Sequence, residues 1–254
     1  MEKLSVTIIT LNEERKIRDA LESVKWADEI VIVDSGSTDK TLEICRKYTD
    51  KVFHQDWPGF VAQKNYATDK ASHLWILSID ADERVTPELA EEIKAVLKAP
   101  KADAYAIPRR VFYLGRWINY SGWYPDFKTR LFNRNVCRWK GEQVHEELSV
   151  NGKVDYLKGD INHLTFDSIA DHIKTMNSYT SLAAREQKGR AEASVIHLLF
   201  RPFFAFIKSF FLKQGFRDGM PGFIIAVAAA CHVFYKYAKL WERNNVKGSN
   251  LPNE

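Results

Sequence analysis

The chain begins with short apolar runs that alternate with amphipathic segments. Each run is followed by apolar residues at the three- and four-residue spacing of a helix. Asn12 is well placed to cap the first of these helices, and Thr86 with Pro87 to begin the fourth. Repeated strand–helix alternation predicts an α/β fold with a parallel sheet and right-handed crossovers. The runs predicted to be strands cover residues 4–10, 30–33, 51–54 and 74–79.

Acidic residues follow two of the predicted strands. Asp34 ends the second strand, and Asp80-Ala81-Asp82-Glu83 follows the fourth. Ligands of parallel sheets bind beyond the carboxyl ends of the strands, where carboxylates hold a hard cation or act as acid or base. Two simpler interpretations stay open. Asp82 and Glu83 would merely open the following helix, and residues 34–39 would form an ordinary polar turn.

A bound nucleotide suits this arrangement of acids. The carboxylate of Asp34 can accept hydrogen bonds from a ribose or a base, and Gly36 permits close approach. A divalent metal on Asp80-Ala81-Asp82 would bridge phosphate oxygens and act as a Lewis acid for a leaving nucleotide. The sequence contains neither a G-x-G-x-x-G nor a G-x-x-x-x-G-K-[ST] motif, which argues against a dinucleotide-binding fold and a P-loop.

Composition narrows the class of protein. The 254 residues carry a formal net charge of +4, which gives little support for nucleic-acid binding. The three cysteines, Cys45, Cys137 and Cys231, are far apart and odd in number, so we expect a reducing compartment and no zinc knuckle. Residues 1–6 lack the apolar core of a signal peptide, which predicts a cytosolic chain.

From residue 104 onward the pattern predicts short strands and aromatic loops. Trp123 belongs to a group of aromatic side chains that either stack on sugar rings or form core. Residues 119–126 are expected to form an ordered loop over an acceptor. Residues 129–134 predict a strand, in which Arg130 faces a phosphate, an anionic acceptor or only solvent.

Composition changes again in the C-terminal part. Residues 168–190 predict a helix, residues 195–212 are rich in phenylalanine and broken by Pro202, and residues 222–235 form a second apolar run. Neither apolar stretch offers the roughly 20 apolar residues that a spanning helix needs. Aromatic, apolar and basic residues together predict an interfacial membrane anchor over residues 195–240. The alternative is a helical hairpin packed on the protein, or a dimer interface.

Three blocks of residues resemble family 2 glycosyltransferases of the GT-A fold. They are Thr10-Leu11-Asn12-Glu13, Val33 to Asp39 and Asp80-Ala81-Asp82-Glu83, and their order and spacing match across residues 4–165. The resemblance implies an α/β, Rossmann-like mixed sheet flanked by helices.

Three domains are therefore expected. Residues 1–165 form the GT-A glycosyltransferase domain, residues 166–243 a helical, membrane-interfacial appendage, and residues 244–254 a disordered tail.

The resemblance also implies roles for individual residues. The first two blocks contact the nucleoside, and the Asp-x-Asp motif binds diphosphate and a divalent metal (Mg²⁺ or Mn²⁺), with Asp82 as a ligand. His163 lies where a metal- or phosphate-binding histidine recurs in this fold. Lys64 lies in a segment that lines the donor pocket, although a solvated helix position is equally compatible. The residues expected to bind substrate are Thr10, Asn12, Glu13, Asp34, Lys64, Asp80, Trp123, Arg130 and His145.

Residues 141–147 supply the candidate base. An inverting transfer needs a group that takes the proton of the acceptor hydroxyl as it attacks the anomeric carbon. Val144-His145-Glu146 resembles the position of the family's catalytic carboxylate, which makes Glu146 the candidate. Glu142 and Glu147 compete with it on the sequence alone.

The expected activity is transfer of a sugar, with inversion, to a membrane-associated glycan or lipid at the inner face of the cytoplasmic membrane. The chain resembles most the lipopolysaccharide inner-core β-1,4-glucosyltransferase branch, which implies UDP-glucose as donor. A metal-dependent nucleotidyltransferase is the rival enzyme, but residues 11–14 lack its glycine- and lysine-rich triphosphate loop. The non-enzymatic rival is a membrane-recruited nucleotide-sugar-binding module that has lost activity. The sequence does not predict the oligomeric state.

Overall fold

The computed structural model describes residues 2–141, 146–187 and 193–246. It divides the chain into two compact units. Unit 1 comprises Met1–Arg110 and Pro125–Leu164, and unit 2 comprises Val111–Tyr124 and Thr165–Glu254. Residues 111–124, which the sequence placed in the catalytic domain, therefore belong to the second unit.

The first half of unit 1 contains the predicted strand–helix alternation. The prediction of four repeats is confirmed, and α4 begins as expected because the side chain of Thr86 accepts a hydrogen bond from the backbone N–H of Leu89, with Pro87 in the first turn. The elements are β1 Leu4–Thr10, α1 Ile17–Val24, β2 Glu29–Asp34, α2 Thr41–Cys45, β3 Val52–His54, α3 Phe60–Lys70, β4 Trp75–Asp80, β5 Glu83–Val85 and α4 Pro87–Val96.

The remaining strands form mostly antiparallel pairs. They are β6 Ala104–Tyr113, β7 Arg116–Trp117, β8 Asp126–Asn133, β9 Cys137–Lys140, β10 Glu147–Val150, β11 Val154–Tyr156 and β12 Ile161–His163. The strand predicted at residues 129–134 is confirmed as part of β8.

The main sheet is mixed. Its order is β3-β2-β1-β4-β8-β6-β12-β5, with β3, β2, β1 and β4 parallel and β8 antiparallel to β4 and β6. This confirms the predicted Rossmann-like mixed sheet flanked by helices. The strands β1, β2 and β4 are buried along almost their whole length, as central parallel strands are, and the apolar face of α1 packs on the same core.

One local prediction and one alternative interpretation in this half were wrong. Asn12 does not cap α1, which begins at Ile17, because Asn12 has φ +55° and its side chain is bonded to the backbone of Thr38 instead. Glu83 does not open a helix either. It begins β5, which pairs antiparallel with β12, and its side chain is fully buried.

Unit 2 is mainly helical. Its helices are α5 Ile169–Glu186, α6 Val195–Ile207, a π-helical turn Lys208–Leu212, a 3₁₀ turn Gly215–Asp218 and α7 Gly219–Asn245. The side chain of Ser168 caps α5, near the predicted start. The predicted break at Pro202 does not occur. The proline removes one helical hydrogen bond, but α6 packs along α7 and continues to Ile207.

Two helical stretches of unit 2, Val195–Leu212 and Gly215–Asn245, are long and apolar enough to cross a membrane, judged by length and composition only. The expectation that neither stretch could do so was wrong. The first stretch has the predicted bounds and is apolar enough over its 18 residues, and the second extends on both sides of the predicted run 222–235. Only 6% and 17% of their most apolar windows are buried by the protein. Residues 247–254 of the expected tail lie outside the described residues, and α7 continues to Asn245.

Candidate active site

The polar residues at the strand ends lie at one edge of the sheet. In the register of the parallel strands, Thr10 of β1 is opposite Asp34 of β2, and the neighbouring Ile9 is opposite Asp80 of β4. The carboxyl ends of three adjacent strands thus bring the predicted nucleoside and diphosphate blocks together, where parallel sheets bind ligands.

The side chain of Asp34 organises its own loop. Its carboxylate is buried and accepts hydrogen bonds from the backbone N–H groups of Gly36 and Ser37, both at 2.8 Å, and from the Ser37 hydroxyl at 2.5 Å. Gly36 has φ +100°, a conformation that favours glycine. The loop is therefore a polar turn of the Asx type, as one interpretation of the sequence expected, and it is held in place by the Asp34 carboxylate.

The first loop is tied to the second. Asn12 accepts a hydrogen bond from the N–H of Thr38 through its side-chain oxygen at 2.8 Å, and its own N–H donates to Ser37 Oγ at 2.8 Å. The N–H of Glu13 donates to Thr41 Oγ1 at 2.8 Å. Asn12 and Glu13 thus join the loops after β1 and β2 into one rim.

Two buried polar atoms at this rim have no hydrogen-bond partner among the described residues. They are the hydroxyl of Thr10 and Oε1 of Gln63, whose amide nitrogen donates to Ser35 Oγ at 2.9 Å. An unsatisfied buried polar atom costs about 1–3 kcal/mol. Such atoms are places where a bound polar ligand recovers the missing hydrogen bonds.

Asp80 is held by two cations. Its carboxylate lies 2.6 Å from Nη2 of Arg130 and 3.2 Å from Nζ of Lys64. Burial by itself raises the pKa of Asp80, but the charges of Arg130 and Lys64, and their hydrogen bonds, outweigh it and hold the pKa well below its usual range. Asp80 is therefore a fixed negative charge.

Glu83 completes this acidic cluster. Its side chain accepts from Arg130 at 2.9 Å and from the backbone N–H of Asp80 at 2.9 Å, and Nη1 of Arg109 lies 3.5 Å away. Arg130 was expected to face a phosphate, an anionic acceptor or solvent. Instead its buried guanidinium bridges Asp80 and Glu83, so its charge is used within the protein to position Asp80.

Lys64 connects the acidic cluster with the candidate base. Its ammonium lies 3.5 Å from Oε1 of Glu146, 3.2 Å from Asp80 and 4.8 Å from the centre of the Trp139 ring. Lys64 is buried, so the alternative of a solvated helix position was wrong. About a quarter of the Glu146 side chain is exposed, which leaves its carboxylate accessible to a substrate.

Asp82 and His163 form the second half of the site. Oδ2 of Asp82 lies 3.2 Å from Nε2 of His163, and the backbone of Asp82 accepts a hydrogen bond from the N–H of Leu164 at 3.0 Å. Adjacent ligands of an octahedral metal with bonds near 2.1 Å are about 3 Å apart. The pair therefore fits as two side chains that would hold a divalent cation. Within the described ranges, no group of three or more His, Cys, Asp or Glu side chains forms a metal site by itself.

A family model identifies the chain. The model of glycosyl transferase family 2 matches residues 5–148, which include β1 to β4, both polar loops and the acidic cluster. The chain belongs to glycosyltransferase family 2. It is a glycosyltransferase, as the three sequence blocks predicted.

Full-length relatives support the assignment. The chain is 31% identical to the lipopolysaccharide core biosynthesis glycosyltransferase LpsC of Rhizobium meliloti, over 96% of this chain and 94% of the relative. It is also 31% identical to an uncharacterized glycosyltransferase of Rickettsia typhi, over 100% of this chain and 93% of the relative. The similarity therefore extends beyond the family 2 domain into the helical unit.

A solved structure of Staphylococcus aureus TarS in complex with UDP-GlcNAc is similar at a TM-score of 0.49. The sequence identity is 18%, over 95% of this chain and 89% of that chain.

The remaining predicted residues of the glycosyltransferase belong to unit 2, lie on the surface of β10 or fall outside the described part of the chain. Trp123 belongs to unit 2, where its ring packs with those of Tyr113, Phe166 and His172. His145 and the competing candidate Glu142 lie outside the described residues. Glu147 is exposed in β10.

The sequence did not predict the roles of Glu83 and Arg109, which form ion pairs beside Asp80 and Arg130. Glu83 was interpreted as a possible helix opener, and Arg109 was not singled out. The position of Glu83 directly after the Asp-x-Asp motif was the only indication in the sequence. For Arg109 no local pattern indicates the pairing, because its partners Glu83 and Asp126 lie far along the chain.

Proposed function

We propose that this glycosyltransferase transfers one sugar, with inversion, from a UDP-sugar to a membrane-attached glycan or lipid. Glucose is the proposed sugar, and the inner core of lipopolysaccharide the proposed acceptor class. The observation that carries the proposal is the convergence of the nucleoside loops, the Asp80–Asp82 motif and Glu146 at one edge of the sheet.

The donor nucleoside is proposed to bind the rim formed by the loops after β1 and β2. Asp34 and Asn12 hold the loop backbones in place. The unpaired polar atoms of Thr10 and Gln63 are then available to ribose or base groups. Glu13 lies on the same rim and is proposed as a further contact.

The diphosphate is proposed to lie beside Asp82. Asp82 and His163 would hold Mg²⁺ or Mn²⁺, which neutralises the diphosphate as it leaves. Lys64 adds a cation next to the motif, and Asp80, kept ionised by Arg130 and Lys64, fixes the position of that cation. The protein thus places positive charge where negative charge develops during the transfer.

Glu146 is the proposed base. Its carboxylate accepts the proton of the acceptor hydroxyl while the oxygen attacks the anomeric carbon from the side opposite the departing UDP. Attack from that side inverts the configuration. The contact with Lys64 at 3.5 Å orients the carboxylate relative to Asp80.

Two features support the proposed acceptor and location. LpsC, named for lipopolysaccharide core biosynthesis, is similar over nearly its whole length. In addition, unit 2 exposes many large apolar side chains on α6 and α7, as a protein that lies at the cytoplasmic membrane surface does. We therefore propose a location at the inner face of the cytoplasmic membrane.

A nucleotide-release assay tests the proposed donor. Purified full-length protein is incubated with UDP-, GDP- and dTDP-sugars, with Mn²⁺, Mg²⁺ or EDTA, and with or without a membrane glycolipid extract. The proposal predicts UDP release that needs metal and is greatest with UDP-glucose. Release from GDP- or dTDP-sugars alone would contradict the proposed donor. If no nucleotide is released with any donor, with or without the glycolipid extract, a nucleotide-sugar-binding module without activity would be favoured instead.

A further inference from the structure

Unit 2 contains a cavity that the proposed sugar transfer does not use. Its volume is about 600 Å³, within the range of about 300–1,000 Å³ that is usual for ligand pockets. Its walls come from α5, α6, the π-helical turn, α7 and the loop at residues 121–123. Most of the lining is apolar, including Trp123, Phe166, Met176, Ile225 and Val233.

The apolar space continues beyond this cavity. A second cavity of about 290 Å³ shares His172, Met176 and Ala228 with the first. Its other walls are almost entirely aliphatic and aromatic side chains of α5 and α7. The two cavities are neighbours and both are mostly apolar, which suits a hydrocarbon chain better than a compact polar ligand.

The titratable side chains that line the first cavity are lysines, histidines and one tyrosine. Lys208 and Lys213 line it with His172 and His232, and no aspartate or glutamate does. Within the described part of the chain, neither lysine side chain forms an ion pair. Burial lowers the pKa of His172 and of His232, which leaves the exposed side chains of Lys208 and Lys213 as the cationic groups of the lining. The cavity therefore complements an anionic group attached to an apolar chain.

Ser121 gives an independent indication of a polar ligand. This residue is more than nine-tenths buried and lines the cavity, and its hydroxyl has no hydrogen-bond partner among the described residues. Its backbone is fixed on both sides, since its N–H donates to the carbonyl of Lys213 at 2.9 Å and its carbonyl accepts from Ser209 Oγ at 3.2 Å. These two hydrogen bonds fix the cavity wall next to Lys208 and Lys213.

The surface around the cavity is suited to lipid. The helix α6 has no buried residue, and Ile196, Leu199, Phe203 and Phe204 are each more than half exposed. Apolar exposure of this extent marks a membrane or protein interaction site. Lys208 and Lys213 follow directly at the end of this apolar helix, where a lipid headgroup would meet them.

We propose that this cavity binds one membrane phospholipid with an anionic headgroup. An acyl chain lies among Trp123, Phe166 and Met176, and the headgroup phosphate contacts Lys208 and Lys213. The proposal rests on the proposed membrane location of unit 2 but not on the sugar transfer.

The test is a titration of the full-length protein in detergent with phosphatidylglycerol and, separately, with phosphatidylcholine, monitored by native mass spectrometry. One phosphatidylglycerol is expected to bind more tightly than any further lipid, and more tightly than phosphatidylcholine. The double variant Lys208→Gln/Lys213→Gln should weaken that first binding about 30-fold. It should weaken phosphatidylcholine binding much less, because the choline group neutralises the charge of that phosphate. The double variant Lys174→Gln/Arg185→Gln removes the same charge from exposed positions of α5 that line neither cavity, and it should bind like the wild type.

A second variant tests the apolar part. Ala229→Trp fills the cavity from α7 and should abolish the first binding event for both lipids, with circular dichroism confirming that the helices form. Equal binding of both lipids by the wild type and all variants would overturn the proposal and indicate only general adsorption. Equal weakening by the two charge variants would also overturn it. UDP release measured on the same samples reports on the proposed function separately, because lipid binding needs no donor.

Discussion

Arg130 is the residue on which the acidic cluster of the site depends. Its buried guanidinium bridges Asp80 and the fully buried Glu83. Removing one partner of a buried ion pair leaves an uncompensated charge and costs about 3–5 kcal/mol. We expect Arg130→Met to lower the free energy of unfolding by about that amount, measured by urea denaturation.

Arg138 supplies the matched control. It forms a similarly short pair with Asp69, but about half of each side chain is exposed, and exposed pairs contribute about 0–1 kcal/mol. Arg138→Met should therefore change the free energy of unfolding little. Equal effects of the two substitutions would contradict the structural role of Arg130.

The effect of Arg130→Met should also depend on pH. The pKa of Asp80 is held well below its usual range in the folded protein, so the contribution of its ion pairs is complete above the unfolded value of about 3.9. It is lost as the pH falls through the lower folded pKa. The stability difference between wild type and variant should be constant from pH 7 to about 5 and shrink in stronger acid.

Glu146 is the residue whose substitution tests the proposed chemistry. Without a carboxylate next to the acceptor hydroxyl, Glu146→Gln should lower kcat about 10²- to 10⁴-fold. The KM for the donor should stay nearly unchanged, because the donor is held by other residues.

Steady-state kinetics of Glu146→Gln and Glu147→Gln would show the difference. Glu147 is the neighbouring carboxylate, but it is exposed in β10, so Glu147→Gln should retain nearly full kcat. A larger loss in Glu147→Gln than in Glu146→Gln would assign the base to Glu147 instead.

At the scale of elements, the sequence predicted those strands and helix ends that depend on neighbouring residues. It predicted β1, β2 and β4 from their apolar runs, and the start of α4 from Thr86 and Pro87. Both signals are carried by residues that are adjacent in the sequence. The short strand β5 was missed because it forms only through pairing with the distant strand β12, in which Asn162 lies opposite Arg84.

The candidate site was predictable to a similar extent. The blocks at the strand ends indicated Asp34, Asp80 and Asp82 directly. The burial of Lys64 and the pairing of Arg130 were not predictable, because both depend on partners brought together by the sheet. The same reason applies to residues 111–124, whose membership of unit 2 depends on contacts with distant helices.

Asp218 shows how such a distant contact organises unit 2. Its fully buried carboxylate accepts hydrogen bonds from the backbone N–H groups of Asn119 at 3.2 Å and Tyr120 at 2.9 Å. We expect Asp218→Ala to destabilise the protein by about 2–3 kcal/mol. Asp218→Asn, which keeps one acceptor oxygen, should lie between the wild type and Asp218→Ala. Thermal unfolding followed by circular dichroism measures the order, and an unchanged midpoint in Asp218→Ala would contradict it.

At the scale of the whole molecule, the exposed apolar helices should hold the protein at membranes. The triple variant Phe200→Ser/Phe203→Ser/Phe204→Ser removes three side chains of α6 that are more than half exposed. We expect it to lose most of its co-sedimentation with anionic vesicles, because the buried apolar area drives interfacial binding.

A matched control uses exposed aromatic residues of unit 1. Phe127 and Tyr156 are exposed and pack edge to face on each other. The variant Phe127→Ser/Tyr156→Ser should co-sediment like the wild type. Equal loss in both variants would show that exposed aromatic area in general, and not the helices of unit 2, determines the binding.

The measurement that tests the central claim most directly follows both products of one reaction. Full-length protein is supplied with UDP-glucose, Mn²⁺ and a membrane glycolipid extract, and UDP and glucosylated lipid are quantified together. The account predicts equal amounts of both, and a loss of at least about 100-fold in Asp82→Asn, because a metal ligand is removed. UDP release without formation of glucosylated lipid, or full transfer by Asp82→Asn, would contradict it.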